Sequence, residues 1–147
     1  MKKNVLIIFA VISLIGISCK HSNTENKADW YKRKVQAMWT VDSIYYMDSI
    51  VYSLEHRRTD FDITNAITFN KDGTCELPVI IGSNKEADYG KWEILLHGDS
   101  AFIQITSSIS RFQGSYLAKI YAKNGAADKM RLISKKMTVT CLKMLQY

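Results

Sequence analysis

Three short turn signals, each set between alternating apolar segments, constrain the fold of this chain more than any other feature. Asp72-Gly73, Gly98-Asp99 and Asn124-Gly125 stand between short runs rich in β-branched and aromatic side chains. Glycine and asparagine readily adopt the positive backbone φ that a tight hairpin turn requires. Each signal therefore predicts a β-hairpin, and their repetition predicts an antiparallel sheet in which neighbours in sequence are paired.

Alternation of apolar and polar residues on either side of these turns predicts the strands. In the first strand Trp39 and Val41 share one phase with Tyr45, and residues 47–54 either continue that strand or return as a short partner. The order of roughly eight strands is up-and-down, which closes most simply into an antiparallel barrel because closure removes free edges. The sequence thus predicts an all-β fold. The predicted strands are 38–45, 66–69, 74–77, 89–96, 101–106, 116–121, 129–133 and 137–144.

The amino-terminal segment has the organisation of an export signal. A pair of lysines opens it, residues 5–17 are mostly apolar, and small residues precede Cys19. The apolar part is shorter than the roughly 20 residues that a membrane-spanning helix needs. The pattern resembles the bacterial lipobox, which implies that residues 1–18 are cleaved and that Cys19 is acylated. The alternatives are a transmembrane anchor and a signal peptide with an incidental cysteine; the position of Cys19 favours the lipid.

Behind the cysteine, a polar segment leads into the folded part of the chain. Residues 20–29 are polar and lack periodicity, which predicts a flexible tether. The predicted organisation is a signal peptide over 1–18, the lipidated cysteine and tether over 19–29, and a barrel domain over 30–147.

The charge of the exported chain argues against nucleic acid as a partner. Cleavage removes two of the 20 basic residues, which leaves 18 against 14 acidic residues and a formal charge of +4. The basic residues come in short groups scattered along the chain and not as one long run. The group Lys32-Arg33-Lys34 is either a solvated charge cluster or a contact with anionic lipid, where each basic residue contributes about 1 kcal/mol.

Several of these features together carry a resemblance to a known family. Trp39, the hairpin over 67–74, the segment Gly90-Lys91-Trp92-Glu93-Ile94 and the late strand with Leu132 resemble the small lipocalin-like lipoproteins of Bacteroidota, over roughly residues 35–145. The resemblance implies a lipid-anchored barrel in the outer membrane that holds a small apolar molecule. Residues 20–23 lack the acidic run that resembles the surface-export signal of this group, so the periplasmic face is favoured.

Apolar residues of the predicted strands are the candidates for a functional interior. A large inward aromatic fills a small barrel more often than it contacts a ligand, so we expect core packing first and cavity lining second. Two functions remain open: a barrel that binds a small apolar ligand, and a protein-interaction module such as a periplasmic inhibitor or an accessory subunit of an envelope complex. The volume of the interior discriminates between them. The candidate residues are Trp39, Phe69, Trp92, Ile94 and Leu132.

Catalytic and metal-binding motifs are not found in the sequence. It contains no Gly-x-Ser-x-Gly, P-loop or His-Glu-x-x-His pattern, and His21, His56 and His97 share no ligand spacing. We therefore predict no catalytic residue, no metal and no cofactor. Cys75 and Cys141 form either a disulfide or two buried thiols; the thiols are favoured because such distant strands need not be neighbours in an up-and-down order.

Overall fold

The computed structural model describes residues 26–55, 66–78, 88–107, 111–124 and 126–144. Cys19 and the predicted export signal lie outside these ranges. Within them, one helix, α1 (Lys27–Val35), precedes nine β-strands. The strands are β1 (Met38–Tyr46), β2 (Ser49–Ser53), β3 (Ala66–Phe69), β4 (Thr74–Leu77), β5 (Asp88–His97), β6 (Ser100–Thr106), β7 (Gly114–Lys123), β8 (Ala126–Ile133) and β9 (Met137–Lys143).

Eight of these strands, β1 and β3 to β9, close into an antiparallel barrel. From β3 onward each strand pairs with the next in sequence, and β1 pairs with both β3 and β9 to complete the ring. The predicted up-and-down barrel is confirmed. The turn signals are confirmed as well, since Gly73, Gly98 and Asn124 have φ values of 84°, 57° and 50°.

The ninth strand, β2, lies beside the ring. It pairs with the second half of β1, while β3 pairs with the first half, so that β2 and β3 lie end to end along the same edge of β1. Residues 47–54, whose direction the sequence left open, therefore return as a short partner of β1. The turn between the two strands is formed by Met47 and Asp48, with φ values of 47° and 65°.

A β-bulge in β1 overturns part of the predicted phase. The register between β1 and β9 shifts between Val41 and Ser43, so Asp42 is an inserted residue. One inserted residue exchanges the two faces of the strand for all residues after it. Ile44 is consequently the inward residue, at 2% exposure, whereas Tyr45 is 43% exposed. The prediction that Tyr45 shares the phase of Trp39 and Val41 is wrong.

Helix α1 corrects the predicted tether, because it begins at Lys27, inside the segment 20–29 that was expected to be flexible. The Asn26 side chain caps the helix by accepting a hydrogen bond from the Ala28 N–H at 3.1 Å. Val35 is the buried residue of the helix. With one buried residue, the sequence of α1 has almost no apolar periodicity from which a helix can be predicted. No helix in the described ranges has the length and apolar character needed to cross a membrane.

The helix closes one end of the barrel. It contacts β5 and β8, which lie on different sides of the ring. The Trp39 indole N–H donates to the Val35 carbonyl at 2.8 Å, and Lys27 forms an ion pair with Asp99 in the β5–β6 turn, with Nζ and Oδ1 3.1 Å apart. We call this end, with α1 and the β3–β4, β5–β6 and β7–β8 turns, the helix end.

Because neighbouring strands are antiparallel, the β1–β2 and β8–β9 turns lie at the opposite end of the barrel, which we call the hairpin end. The Met47 N–H donates to the Lys136 carbonyl at 2.9 Å and joins these two turns. The strand ends that flank residues 79–87 and 108–110, which are outside the described ranges, are also at this end.

Candidate functional site

The inside of the barrel is packed with side chains along its height. A side chain without accessible surface borders no space that a water molecule can enter. Within the described residues, the interior is therefore a solid core and not a chamber. The inward barrel residues with 0% exposure are Trp39, Val41, Ile67, Cys75, Ile103, Ile105, Met130, Val139 and Cys141.

The five candidate residues from the sequence all belong to this region. Trp39, Phe69, Trp92 and Leu132 are buried in one core cluster, and Ile94 is partly buried and packs against it. The rings of Phe69 and Trp92 meet edge to face with centroids 5.2 Å apart. The Trp92 indole N–H donates to a backbone carbonyl, that of Asn70, at 3.0 Å. These residues therefore belong to the packing of the barrel core.

A carboxylate lies among the apolar side chains at the start of β5. Asp88 is in phase with the inward Trp92 and is 6% exposed. Its two carboxylate oxygens accept hydrogen bonds from the Ser107 hydroxyl at 3.2 and 3.3 Å. Asp88 thus places a hydrogen-bonded polar group at the hairpin end of the otherwise apolar interior.

Both described cysteines are buried free thiols and not a disulfide. Burial raises the pKa of Cys75 to about 11, and the charge of Asp88 adds to the rise. Burial likewise raises the pKa of Cys141 to about 12, with a further contribution from Asp42. Because the thiolate is the reactive form, burial lowers the reactivity of both cysteines at neutral pH.

The outer wall of the barrel carries a polar groove of about 470 Å³. It runs across β8, β9 and β1, and we call it the outer groove. Most of its lining is charged or hydroxylated, in contrast to the apolar interior. The lining residues are Asp42, Ser43 and Tyr45 of β1, Asp48 of the β1–β2 turn, Lys129 and Arg131 of β8, and Thr138 and Thr140 of β9.

The bulge in β1 shapes this groove. Normal alternation would place Asp42 and Ser43 on opposite faces, but the inserted residue lets both line the groove between the inward Val41 and Ile44. Across the wall, Ser43 is paired with Thr140, and Thr140 is paired with a residue of β8, Arg131. Strands lie about 4.8 Å apart, so the acidic side on β1 and the basic side on β8 are separated by roughly 10 Å.

The charged groups of the outer groove are not neutralised by one another. Within the described part of the chain, none of Asp42, Asp48, Lys129 and Arg131 forms an ion pair with another side chain. The lining thus presents two carboxylates and two cationic groups, with hydroxyl groups between them. Such a lining is suited to a ligand that carries charges of both signs.

Next to the groove, the tip of the β1–β2 hairpin exposes large side chains. Tyr45, Tyr46 and Met47 are all exposed, and Met47 reaches 60%. A bulky residue with positive φ is a true conformational outlier, and such outliers cluster at functional sites. We call residues 45–48 the hairpin tip.

Sequence reasoning nominated none of the groove residues. The signal for the bulge was present as the spacing of three between Val41 and Ile44. Tyr45 obscured that signal, because a tyrosine also fits the inward phase. Lys129 and Arg131 had no sequence signal, since their proximity to Asp42 depends on barrel closure through β9.

The three histidines are the remaining candidates from the sequence. His97 ends β5 with its ring edge to face with Phe102 at 5.3 Å, while His21 and His56 lie outside the described ranges. Among the residues that the structure describes, no three His, Cys, Asp or Glu side chains are grouped closely enough to hold a metal ion.

Comparison with protein-family models, curated proteins and solved structures finds no match to this chain.

Proposed function

We propose that this chain is a lipid-anchored protein of the bacterial envelope whose barrel serves as a protein-binding module. The observation that supports this proposal best is the close packing of the interior within the residues that the structure describes. An eight-stranded barrel either fills itself with side chains or leaves room for one small ligand. Within the described part of this barrel Trp39, Ile103 and Met130 are fully buried by their neighbours. The function is then carried by the outer surface.

The hairpin tip is the recognition element of this proposal. Tyrosine and methionine are enriched at the centres of protein interfaces, and three such residues are exposed together at Tyr45, Tyr46 and Met47. Met47 also has a positive φ, a backbone conformation whose free-energy cost is lower for asparagine or glycine than for methionine. Retaining a large apolar side chain in that conformation favours a role for the side chain outside the folded domain.

Attachment through Cys19 orients the hairpin tip relative to the membrane. Residues 20–26 span at most roughly 25 Å between Cys19 and the start of α1. Since Lys27 contacts the β5–β6 turn, the helix end is held close to the membrane and the hairpin tip points away from it. On the periplasmic side of the outer membrane, that orientation suits an inhibitor or an accessory subunit of an envelope complex.

A photo-crosslinking amino acid in place of Tyr46 tests the module in intact host cells. We expect one discrete crosslinked protein partner. The matched control carries the same amino acid in place of Tyr121, an exposed tyrosine on the wall strand β7, and should give no such adduct. An equal adduct from both positions would argue against the hairpin tip as the recognition element.

Ligand binding by the purified, folded protein separates this function from that of a carrier. We expect an environment-sensitive apolar dye to show no saturable binding. Stoichiometric dye binding that added lipid displaces would overturn the protein-binding proposal in favour of a carrier of a small apolar ligand, because it requires interior volume.

The anchor has its own test. Replacement Cys19→Ser should release the protein from the membrane fraction, since two or more acyl chains are needed for stable anchoring and the variant can carry none at this position. Mass spectrometry of the mature wild-type chain should show an acylated Cys19. An unmodified Cys19 would contradict both the lipid anchor and the orientation that depends on it.

A further inference from the structure

We propose that the outer groove is a binding site for a small zwitterion of the size of a di- or tripeptide. Its ammonium group binds the carboxylates of Asp42 and Asp48, and its carboxylate binds Lys129 and Arg131. This site shares Tyr45 and Asp48 with the hairpin tip, but it does not depend on the protein-binding function.

The charge pattern of the lining is the first support. Both signs are present twice, and these groups form no ion pairs among the described residues. A ligand of one sign would gain from one side of the groove and be repelled by the other. A ligand with opposite charges at its two ends gains charge-assisted hydrogen bonds on both sides, and Arg131 can hold a carboxylate with two parallel bonds.

The dimensions of the groove select the size of the ligand. The acidic and basic sides lie two strand spacings apart, or roughly 10 Å. An extended peptide of two or three residues spans roughly 7 to 11 Å, so its terminal charges reach both sides at once. The volume of about 470 Å³ also lies within the range of small-ligand pockets.

Hydroxyl groups occupy the middle of the groove, where the centre of such a ligand would lie. Ser43, Thr138 and Thr140 line it between the two charged sides. A hydroxyl group both donates and accepts hydrogen bonds, which suits the N–H and C=O of a peptide bond. The arrangement depends on the bulge, because the bulge brings Ser43 and Asp42 to the same face.

Titration of the purified protein with the dipeptide alanylalanine tests the proposal. We expect saturable binding with a Kd of about 1 mM or tighter, measured by calorimetry or by amide chemical shifts. The N-acetyl derivative lacks the ammonium group and the C-terminal amide lacks the carboxylate. Each should bind at least about tenfold more weakly to the wild-type protein, because each loses the contacts on one side of the groove.

Two variants assign the ends of the ligand. Replacement Asp42→Asn should weaken alanylalanine binding and leave the N-acetyl derivative unaffected, whereas Arg131→Gln should leave the amide unaffected. The matched controls are Glu93→Gln and Lys91→Gln, which remove exposed charges on β5, a strand that contributes no residue to the groove lining, and should change nothing.

The alternative results overturn the site. No saturable binding, equal binding of the three compounds, or equal effects of the groove and control variants would each do so. Tighter binding of N-acetyl-lysyl-glutamate amide than of alanylalanine would assign the groove to a segment of a protein and not to a free zwitterion. Comparison of the compounds uses the wild-type protein, so the test stands even where a variant fails to fold. Crosslinking from Tyr46 reports on the partner independently.

Discussion

Near the helix end of the barrel two tryptophan rings are buried with their indole N–H groups paired, whereas at the hairpin tip three large side chains are exposed. Trp39 and Trp92 each donate an indole N–H to a backbone carbonyl near the helix end. At the other end Tyr46 and Met47 are exposed, and Met47 adopts a positive φ without being glycine.

The difference indicates that buried aromatic residues stabilise the fold, whereas the exposed residues of the hairpin tip are available for binding. Contacts at the helix end contribute to the free energy of unfolding, because they bury aromatic surface and satisfy every donor involved. Exposed side chains at the hairpin tip contribute little to folding and are available to a partner. Substitutions at the two ends should therefore affect different measurements.

The largest expected effect is that of Trp39→Ala. The change removes a fully buried indole and its hydrogen bond to Val35, so the free energy of unfolding should fall by about 3 to 5 kcal/mol in denaturant titrations. The comparison variant at the hairpin end, Tyr46→Ala, should change it by less than about 0.5 kcal/mol. If Trp39→Ala lowered the free energy of unfolding by less than about 1 kcal/mol, the helix end would not be the main source of stability.

A second substitution tests whether the wall near the hairpin end is as tightly packed as the helix end. A Cβ at Gly90 would lie 2.7 Å from the Thr106 carbonyl oxygen and 3.3 Å from the Cys75 sulfur. Gly90→Ala should therefore lower the free energy of unfolding by about 1 to 3 kcal/mol. Gly98→Asn, at a turn with open space and a φ that asparagine tolerates, should be nearly neutral. Equal stability of both variants would show that the strands around Gly90 shift to accommodate the added methyl group.

At the hairpin tip we expect a gain of stability together with a loss of function. Asparagine accepts a positive φ more readily than methionine, so Met47→Asn should raise the free energy of unfolding by about 1 kcal/mol. The same variant should weaken the crosslink from Tyr46, because it removes the most exposed apolar side chain of the tip. A stabilised variant with an undiminished crosslink would separate Met47 from recognition.

The smallest effect is a pH dependence at the helix end. Hydrogen bonds from the Thr74 hydroxyl and N–H, at 2.6 and 2.9 Å, hold the pKa of Asp72 below its usual value of 3.8. A carboxyl group with a lowered folded-state pKa stabilises the fold above its unfolded pKa, and this contribution is lost as the pH falls through the folded value.

Carboxyl chemical shifts measured against pH should show the lowered pKa of Asp72. Thr74→Val removes the hydroxyl donor and keeps the N–H, so it should move the pKa part of the way back. An Asp72 that titrates identically in both proteins would rule out the hydroxyl as the main cause.

Local signals in the sequence were sufficient for the hairpins and for the order of the strands. Asp72-Gly73 and Gly98-Asp99 specify turns through backbone conformations that belong to the residues themselves. The alternation beside them indicates which side chains pack inward, and for Trp39, Phe69 and Leu132 the structure places them in the core. Cys19 remains a prediction from its local pattern alone.

Tertiary structure alone decided the bulge at Asp42, the course of residues 47–54, the closing helix and the outer groove. Asp42 and Arg131 are far apart in sequence and face one groove only because β9 pairs with both β1 and β8. The helix is stabilised by its place across the barrel end, where Val35 is buried by side chains from distant strands. Turns and alternation are set by neighbouring residues, and a sequence displays them directly. A site formed across a closed sheet depends on register, and register is fixed only when the ring closes.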